Sequence, residues 1–153
     1  EITLYALNGD NLIITVPQQG LQNSGEVNNK GVEFALNAEP CNHLTLNATY
    51  SYIHMKNPVY ATPEHHLYLN ATYRIKKWQL VANIQQISNL DNDPSAIVNK
   101  VDYTVLNAKA MYSITRNLKL YVSGENLLNQ DYQVNRFYTM PGAIVFGGIN
   151  FVL

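Results

Sequence analysis

Along most of the chain, apolar residues return at every second position. Between Leu44 and His54, the residues Leu44, Leu46, Ala48, Tyr50 and Tyr52 alternate with Thr45, Asn47, Thr49 and Ser51. The same period runs through Lys30–Glu39, where Val32, Phe34, Leu36 and Ala38 oppose Gly31, Glu33, Ala35 and Asn37. It returns in His66–Tyr73, Trp78–Ile84, Tyr103–Tyr112, Leu118–Glu125 and the final stretch Ala143–Leu153. Successive side chains of a strand point to opposite faces, so each segment predicts a strand with one greasy and one wet face. Glu1–Ala6 alternates more weakly, and Leu7–Val16 continues apolar after Asn8-Gly9-Asp10, a strong turn signal. No segment carries the period of a helix.

The connections alternate in length. Short ones fall at Pro40–His43, Arg74–Lys77 and Ile114–Asn117; long ones fall at Pro17–Val27, Lys56–Pro63, Ser88–Lys100 and Leu127–Gly142. Outer-membrane barrels have short turns on the periplasmic side and long loops outside. The aromatics fit that orientation. Tyr73, Trp78, Tyr112 and Phe151 lie beside the short-turn end on the apolar face, where an interfacial girdle belongs. Tyr50 and Tyr52 lie toward the other end. The wet face is Thr, Ser, Asn and Gln, whereas a soluble sandwich would expose more charge. The expected fold is all-β: an antiparallel up-and-down meander of about eight strands, part of a transmembrane β-barrel. Val32, Phe34, Leu46, Ala48, Leu69, Leu80, Ala82, Ala108, Leu120 and Ile149 then face lipid.

Composition agrees. Charged residues are 14% of the chain, against roughly 25% in a typical soluble domain. Mean hydropathy is nevertheless -0.17, because polar uncharged residues fill the gap. Tyr, at 11 against 4 Phe, favours membrane interfaces. No apolar run reaches the roughly 18 residues of a membrane helix, which leaves transmembrane strands open. The net charge of -1 gives no electrostatic case for nucleic acid. The single cysteine, Cys41, forms no internal disulfide. The 153 residues allow one domain, and a start at Glu1 inside a strand reads as the C-terminal piece of a longer protein.

The last strand, AIVFGGINFVL, runs to Leu153 with no polar tail. Leu153, Phe151, Ile149, Gly147 and Val145 share one face, and Ile144, Phe146, Gly148, Asn150 and Val152 the other. From these residues alone, a buried soluble strand and the closing strand of a barrel both remain open. Gly148-x-x-Phe151-x-Leu153 resembles the C-terminal signal read by the outer-membrane barrel assembly machinery. Three further motifs carry a family. Asn29-Lys30-Gly31-Val32-Glu33-Phe34 resembles the strand start of TonB-dependent outer-membrane receptors. Gly124-Glu125-Asn126-Leu127-Leu128-Asn129-Gln130-Asp131-Tyr132 is similar to their segment of pattern Asn-Leu-hydrophobic-Asp/Asn-x-x-Tyr. Tyr138-Thr139-Met140-Pro141-Gly142 is similar to their entry into the last strand, with Ala143 where many members have Arg, and is most like Bacteroidetes members.

The resemblance spans the whole chain, residues 1–153, and implies the last third or so of a 22-stranded barrel in the outer membrane of a Gram-negative bacterium. The plug domain and the TonB-contacting segment would lie upstream. The full receptor would bind a scarce nutrient, such as a ferric siderophore, haem or cobalamin, and import it with energy relayed by TonB. The alternative is a self-contained small structural barrel of about eight strands.

Candidate chemistry is sparse. Glu64 and His66 share a strand face, but two ligands are too few for a closed metal site. Asp91-x-Asp93 lacks the Glu spacing of a Ca²⁺ loop and reads as a solvated loop. Asn47-Ala48-Thr49 and Asn70-Ala71-Thr72 match the glycosylation sequon but sit inside strands, and Gly147-Gly148 has no phosphate-loop context. Glu33, Lys109, Lys119 and Glu125 are expected as lumenal charges, Ser113 has no triad partners, and neither enzyme nor cofactor is expected. The loop Leu127–Gly142, with Tyr132, Arg136, Phe137 and Tyr138, is either a ligand-contact loop or an inert one.

Overall fold

The computed structural model describes residues 1–10, 13–16, 20–23, 26–56, 59–93 and 99–152. The strands are β1 (Ile2–Asp10), β2 (Ile13–Val16), β3 (Gly20–Asn23), β4 (Glu26–Cys41), β5 (Leu44–Met55) and β6 (Pro63–Ile75). They continue with β7 (Trp78–Asp91), β8 (Lys100–Ser113), β9 (Leu118–Glu125), β10 (Gln133–Asn135), β11 (Tyr138–Thr139) and β12 (Ile144–Phe151). Eight of them form one sheet in the order β1-β4-β5-β6-β7-β8-β9-β12, and every neighbouring pair is antiparallel. The pairs β2–β3 and β10–β11 are small hairpins inserted into the first and last long connections. Among the described residues there is no helix.

Register carries the alternation across the whole sheet. One row runs Leu46, Ala71, Ala82, Ala108, Gly124 and Val145; a neighbouring row runs Leu44, Tyr73, Leu80, Ala110, Val122 and Gly147. A one-residue slip anywhere would turn that strand's apolar set to the wrong side. The apolar face is bare: Leu4 is 78% exposed, Val145 and Ile149 68% each. Trp78 and Tyr112 pair across β7 and β8 with ring centroids 4.8 Å apart, beside the short turns. The small buried cluster lies on the opposite face, where Ile87, Tyr103 and Val105 meet Leu90 near the long-loop end.

Several boundaries differ from those the sequence predicts. No turn forms at Asn8-Gly9-Asp10: β1 runs on, pairing Asn8 with Asn28 and Gly9 with Val27. Ladder partners from the early start of β4 override the local turn preference. The expected loop Pro17–Val27 contains β3 and the start of β4, with residues 17–19 and 24–25 outside the described set. Pro40 and Cys41 belong to β4 across a register shift after Ala38, so the first turn tightens to Asn42–His43. A Pro is tolerated at such an irregularity because one ladder N–H is already unused. β7 extends to Asp91 and β8 begins at Lys100, which shortens the expected loop Ser88–Lys100; residues 94–98 lie outside the described set.

Arg placed at Ala82 or Leu120 is expected to lower stability by about 2–4 kcal/mol, while Arg at Thr49, exposed at mid-strand on the other face, lowers it little. Arg at Asn83 falls between, because it removes an amide pair with Asn107. The measurement is urea refolding of the protein into lipid vesicles, and equal costs on both faces would overturn the face assignment.

Candidate functional site

The wet face is organised by asparagine. Asn37, Asn47, Asn70, Asn83 and Asn107 occupy directly opposed positions on β4, β5, β6, β7 and β8. Asn47 Nδ2 donates to Asn37 Oδ1 at 2.6 Å, Asn70 to Asn47 at 3.2 Å and Asn107 to Asn83 at 3.0 Å. An amide both donates and accepts, so neighbours on adjacent strands can be chained without a charge. The row ends at Asn126, whose backbone N–H donates to Asn107 Oδ1 at 2.9 Å.

Asn126 is the joint between β9 and the last loop. It is 4% exposed and holds φ at +47°. Its Nδ2 donates to the carbonyls of Gln130 and Pro141, both at 2.9 Å, and its Oδ1 accepts from Gln130 N–H at 3.0 Å. Nearby, Leu127 N–H donates to Leu106 O at 2.8 Å, and Asn129 Oδ1 accepts from Ala143 N–H at 3.0 Å. The two ends of the loop are thereby tied to each other and to β8.

The loop then folds over the wet face. Tyr132 stacks on Tyr103 with centroids 4.5 Å apart, and Val134 packs on the buried cluster. Arg136 N–H donates to Asn92 O at 2.8 Å, its guanidinium pairs with the Asp93 carboxylate, and Tyr60 Oη donates to Asn135 Oδ1 at 2.7 Å. Asn92, 2% exposed, donates to Gln133 O at 3.3 Å and accepts from Asn99 at 2.9 Å. Phe137 and Tyr138 remain at the tip of the β10–β11 hairpin, 81% and 73% exposed, with Phe137 at φ +73°. Of the four loop residues singled out in the sequence, Tyr132 and Arg136 are thus held inward and Phe137 and Tyr138 point away. Between the loop and the sheet lies a cavity of about 570 Å³ lined by residues including Asn83, Asn107, Lys109, Glu125, Tyr132 and Met140.

The remaining candidates resolve into ordinary partners. Glu64 pairs with Lys100 at 2.5 Å and accepts from Asn89 at 3.2 Å, while His66 meets Gln85 at 3.0 Å, so the two do not converge. Asp91 and Asp93 are buried at 8% and 3%, which corrects the expected solvated loop. Asp91 Oδ1 accepts from the N–H groups of Asp93 and Asn99, and Asp93 takes Arg136. Among the described residues no three His, Cys, Asp or Glu are placed to hold a metal. Lys109 lies 4.4 Å over the Tyr121 ring. Glu33, Lys119 and Glu125 share the wet rows of their strands, and Ser113 ends β8 opposite Lys119.

Of the candidate assembly residues, Phe151 pairs with Leu118 on the apolar face and Gly148 lies opposite Tyr121, whose hydroxyl would sit 2.7 Å from an added Cβ. Leu153 lies outside the described residues. Sequence reading did not single out Asn107, Asn92, Tyr60 or Tyr103, and it left Asn126 without a role. The available signal was asparagine of matching parity on five strands joined by countable turns.

Replacing Asn126 by Gly removes the amide but tolerates the backbone; Ala removes it and adds strain. Asn126→Gly is expected to cost at least about 2 kcal/mol, since buried carbonyls lose their donors. Asn126→Ala is expected to cost about 1 kcal/mol more. Wild-type refolding stability in both variants would remove Asn126 as the joint.

Comparison with known proteins agrees with this architecture. A family described as "TonB dependent receptor-like, beta-barrel" matches residues 1–127. No curated protein sequence matches. The siderophore receptor PiuA from Acinetobacter baumannii superposes with TM-score 0.80 at 19% identity, over 98% of this chain and 26% of that one. The copper transporter OprC gives 0.75 at 16%, over 98% and 28%. The outer-membrane ferripyoverdine receptor of Pseudomonas aeruginosa gives 0.74 at 18%, over 98% and 24%. The chain therefore spans about a quarter of the length of these structures. Its open eight-stranded sheet, its bare apolar face and the match over residues 1–127 lead to one conclusion: the chain belongs to the β-barrel family of TonB-dependent receptors.

Proposed function

We propose that the chain is the C-terminal, plug-less quarter of an outer-membrane receptor that imports a scarce nutrient using energy relayed by TonB. The observation that carries this reading is the family match over a sheet whose two outermost strands, β1 and β12, have no second strand partner among the described residues. A self-contained eight-stranded barrel would have to pair those edges with each other, and they stand at opposite sides of the sheet. Backbone groups at such edges need strand partners inside a membrane. The rest of the barrel supplies them in this reading, and the plug occupies the wet face.

Similar structures are named for a siderophore, for ferripyoverdine and for copper, which supports a metal-bearing cargo, a ferric siderophore before haem or cobalamin. Family members are transporters and receptors rather than enzymes. The four loop residues divide their work in this reading: Tyr132 and Arg136 fix the hairpin, and the exposed rings of Phe137 and Tyr138 meet the ligand. The test is uptake of ⁵⁵Fe-loaded siderophores by cells carrying the whole receptor or lacking it. Uptake is expected to require the receptor and an energised inner membrane; uptake indifferent to both would end the proposal. Phe137→Ala with Tyr138→Ala is expected to leave the amount of receptor in the outer membrane unchanged while reducing uptake roughly tenfold, about the effect of losing two modest aromatic contacts.

The last strand is proposed as the assembly signal. Phe151 pairs with Leu118, and Val152 N–H donates to Asn117 O at 3.0 Å, so the terminal residues complete the ladder of β9. Removing Phe151–Leu153 strips Asn117, at the third short turn, of both its bonds to Val152 and uncovers Leu118 on the apolar face, so the last strand no longer closes the short-turn end of the sheet. The truncated receptor is expected to be synthesised and exported but missing from purified outer membranes. Equal amounts with and without those residues would show that the signal lies elsewhere.

A further inference from the structure

Half of the chain's basic residues collect at one rim of the sheet. Arg74, Lys76, Lys77, Arg116 and Lys119, out of 10 Lys and Arg, lie in or beside the second and third short turns. The segments 39–46, 72–80 and 111–120, which form this rim, hold a single acid, Glu39. Lys76, Lys77 and Arg116 are exposed. Neither of the ion pairs Lys100–Glu64 and Arg136–Asp93 involves any of the five.

The geometry places this charge next to the apolar face. The Lys77 ammonium lies 6.0 Å from the centroid of the Tyr112 ring and donates to Ile114 O at 3.3 Å. Tyr112 packs against Trp78, and both belong to the outward row that also contains Leu120 and Ile149. Lys77 thus sits over an aromatic girdle, at the depth where headgroups meet hydrocarbon. Lys76 holds φ at +52°, a conformation that Gly or Asn adopts more readily. The turn therefore carries a lysine against its own backbone preference. Clustered cations beside a low-dielectric slab attract anionic headgroups, and long Lys and Arg stems let the charge reach the phosphate plane.

We propose that this rim binds the phosphate headgroups of anionic phospholipids in the leaflet on the short-turn side. Lys76, Lys77 and Arg116 make the contacts, and Arg74 and Lys119 raise the local potential. The proposal rests on the receptor reading, which puts the short turns at the periplasmic leaflet.

The test places the purified whole receptor in nanodiscs containing phosphatidylglycerol and phosphatidylcholine, then counts retained lipids by native mass spectrometry. Wild type is expected to prefer phosphatidylglycerol by about tenfold or more, and K76N/K77Q/R116Q to bring the two lipids close to parity. Asn suits the backbone at position 76, and K30Q/H54Q at the opposite rim is expected to keep the preference. Equal retention by wild type, or an unchanged preference in the triple variant, overturns the proposal. If the triple variant does not assemble, a salt series on wild type decides, because a preference that survives about 1 M salt is not electrostatic and overturns it too. Orientation is read separately in whole receptor whose sole cysteine is Cys41, exposed at the end of β4 beside the first short turn. An impermeant maleimide is expected to label it only after the outer membrane is permeabilised. Labelling in intact cells overturns the orientation and the proposal with it; protection without lipid preference overturns the proposal alone.

Discussion

The backbone ladder is what the rest of this structure depends on. In hydrocarbon no water satisfies an exposed N–H or C=O, so each strand must be paired along its membrane-crossing length. This explains where irregularities fall. The register shifts after Ala38 and Ile87 lie toward strand ends, and Pro63 opens its strand. The non-glycine residues with positive φ, at Ala61, Lys76, Asn89, Asn126, Asn129 and Phe137, all sit in connections or close to a strand end. The middle of the sheet contains none of these. Stability that a soluble domain draws from a buried core has no counterpart here, where the buried apolar cluster is a handful of side chains at one end.

Two glycine–tyrosine pairs show how edges are managed under that constraint. Gly31 on β4 lies opposite Tyr5 on β1, and Gly148 on β12 opposite Tyr121 on β9. At each, a Cβ on the glycine would run into the tyrosine ring. The ring lies across the partner backbone, covering the outermost pairs of the sheet, an arrangement that pins register and shields a strand that has no side chain at that point. Lys109 closes over the other side of the Tyr121 ring. The glycine of the terminal motif is therefore also a packing requirement, independent of any recognition by assembly machinery.

The two-residue period made the eight long strands, their face assignment and the alternation of short and long connections legible from the sequence. That information is local: Leu44–His54 declares its faces without reference to any partner. What was illegible depends on partners distant in sequence. Asn8-Gly9-Asp10 reads as a turn until Glu26–Asn28 offers it a ladder. Asp91 and Asp93 read as solvated until Asn99 and Arg136, 8 and 43 residues away, cover them. Leu127–Gly142 reads as an open loop because its apolar contacts, Tyr132 on Tyr103 and Val134 on the buried cluster, are single residues without periodicity. The asparagine row was visible as letters, but its alignment required counting register through four connections, two of them long.

Why the wet face uses amides follows from the same electrostatics that bares the other face. A carboxylate row would repel itself across strands about 4.8 Å apart, and a lysine row likewise. An amide row is neutral and self-complementary, so on the wet face it links β4 to β5 and β5 to β6, and β7 to β8, without fixed charge. Asn126 hands that chain of hydrogen bonds to the loop: it accepts and donates within the loop while its own N–H reads Asn107. The base of the loop is consequently as determined as the strands, and Arg136 on Asp93 holds the hairpin a second time, farther out. Beyond both ties the rings of Phe137 and Tyr138 stand exposed, while their backbone is still held: Phe137 N–H donates to Gln133 Oε1 at 3.0 Å and Tyr138 pairs with Asn135. A base tied in this way leaves the loop little conformational freedom to lose in any further contact, because its ordering is completed by folding.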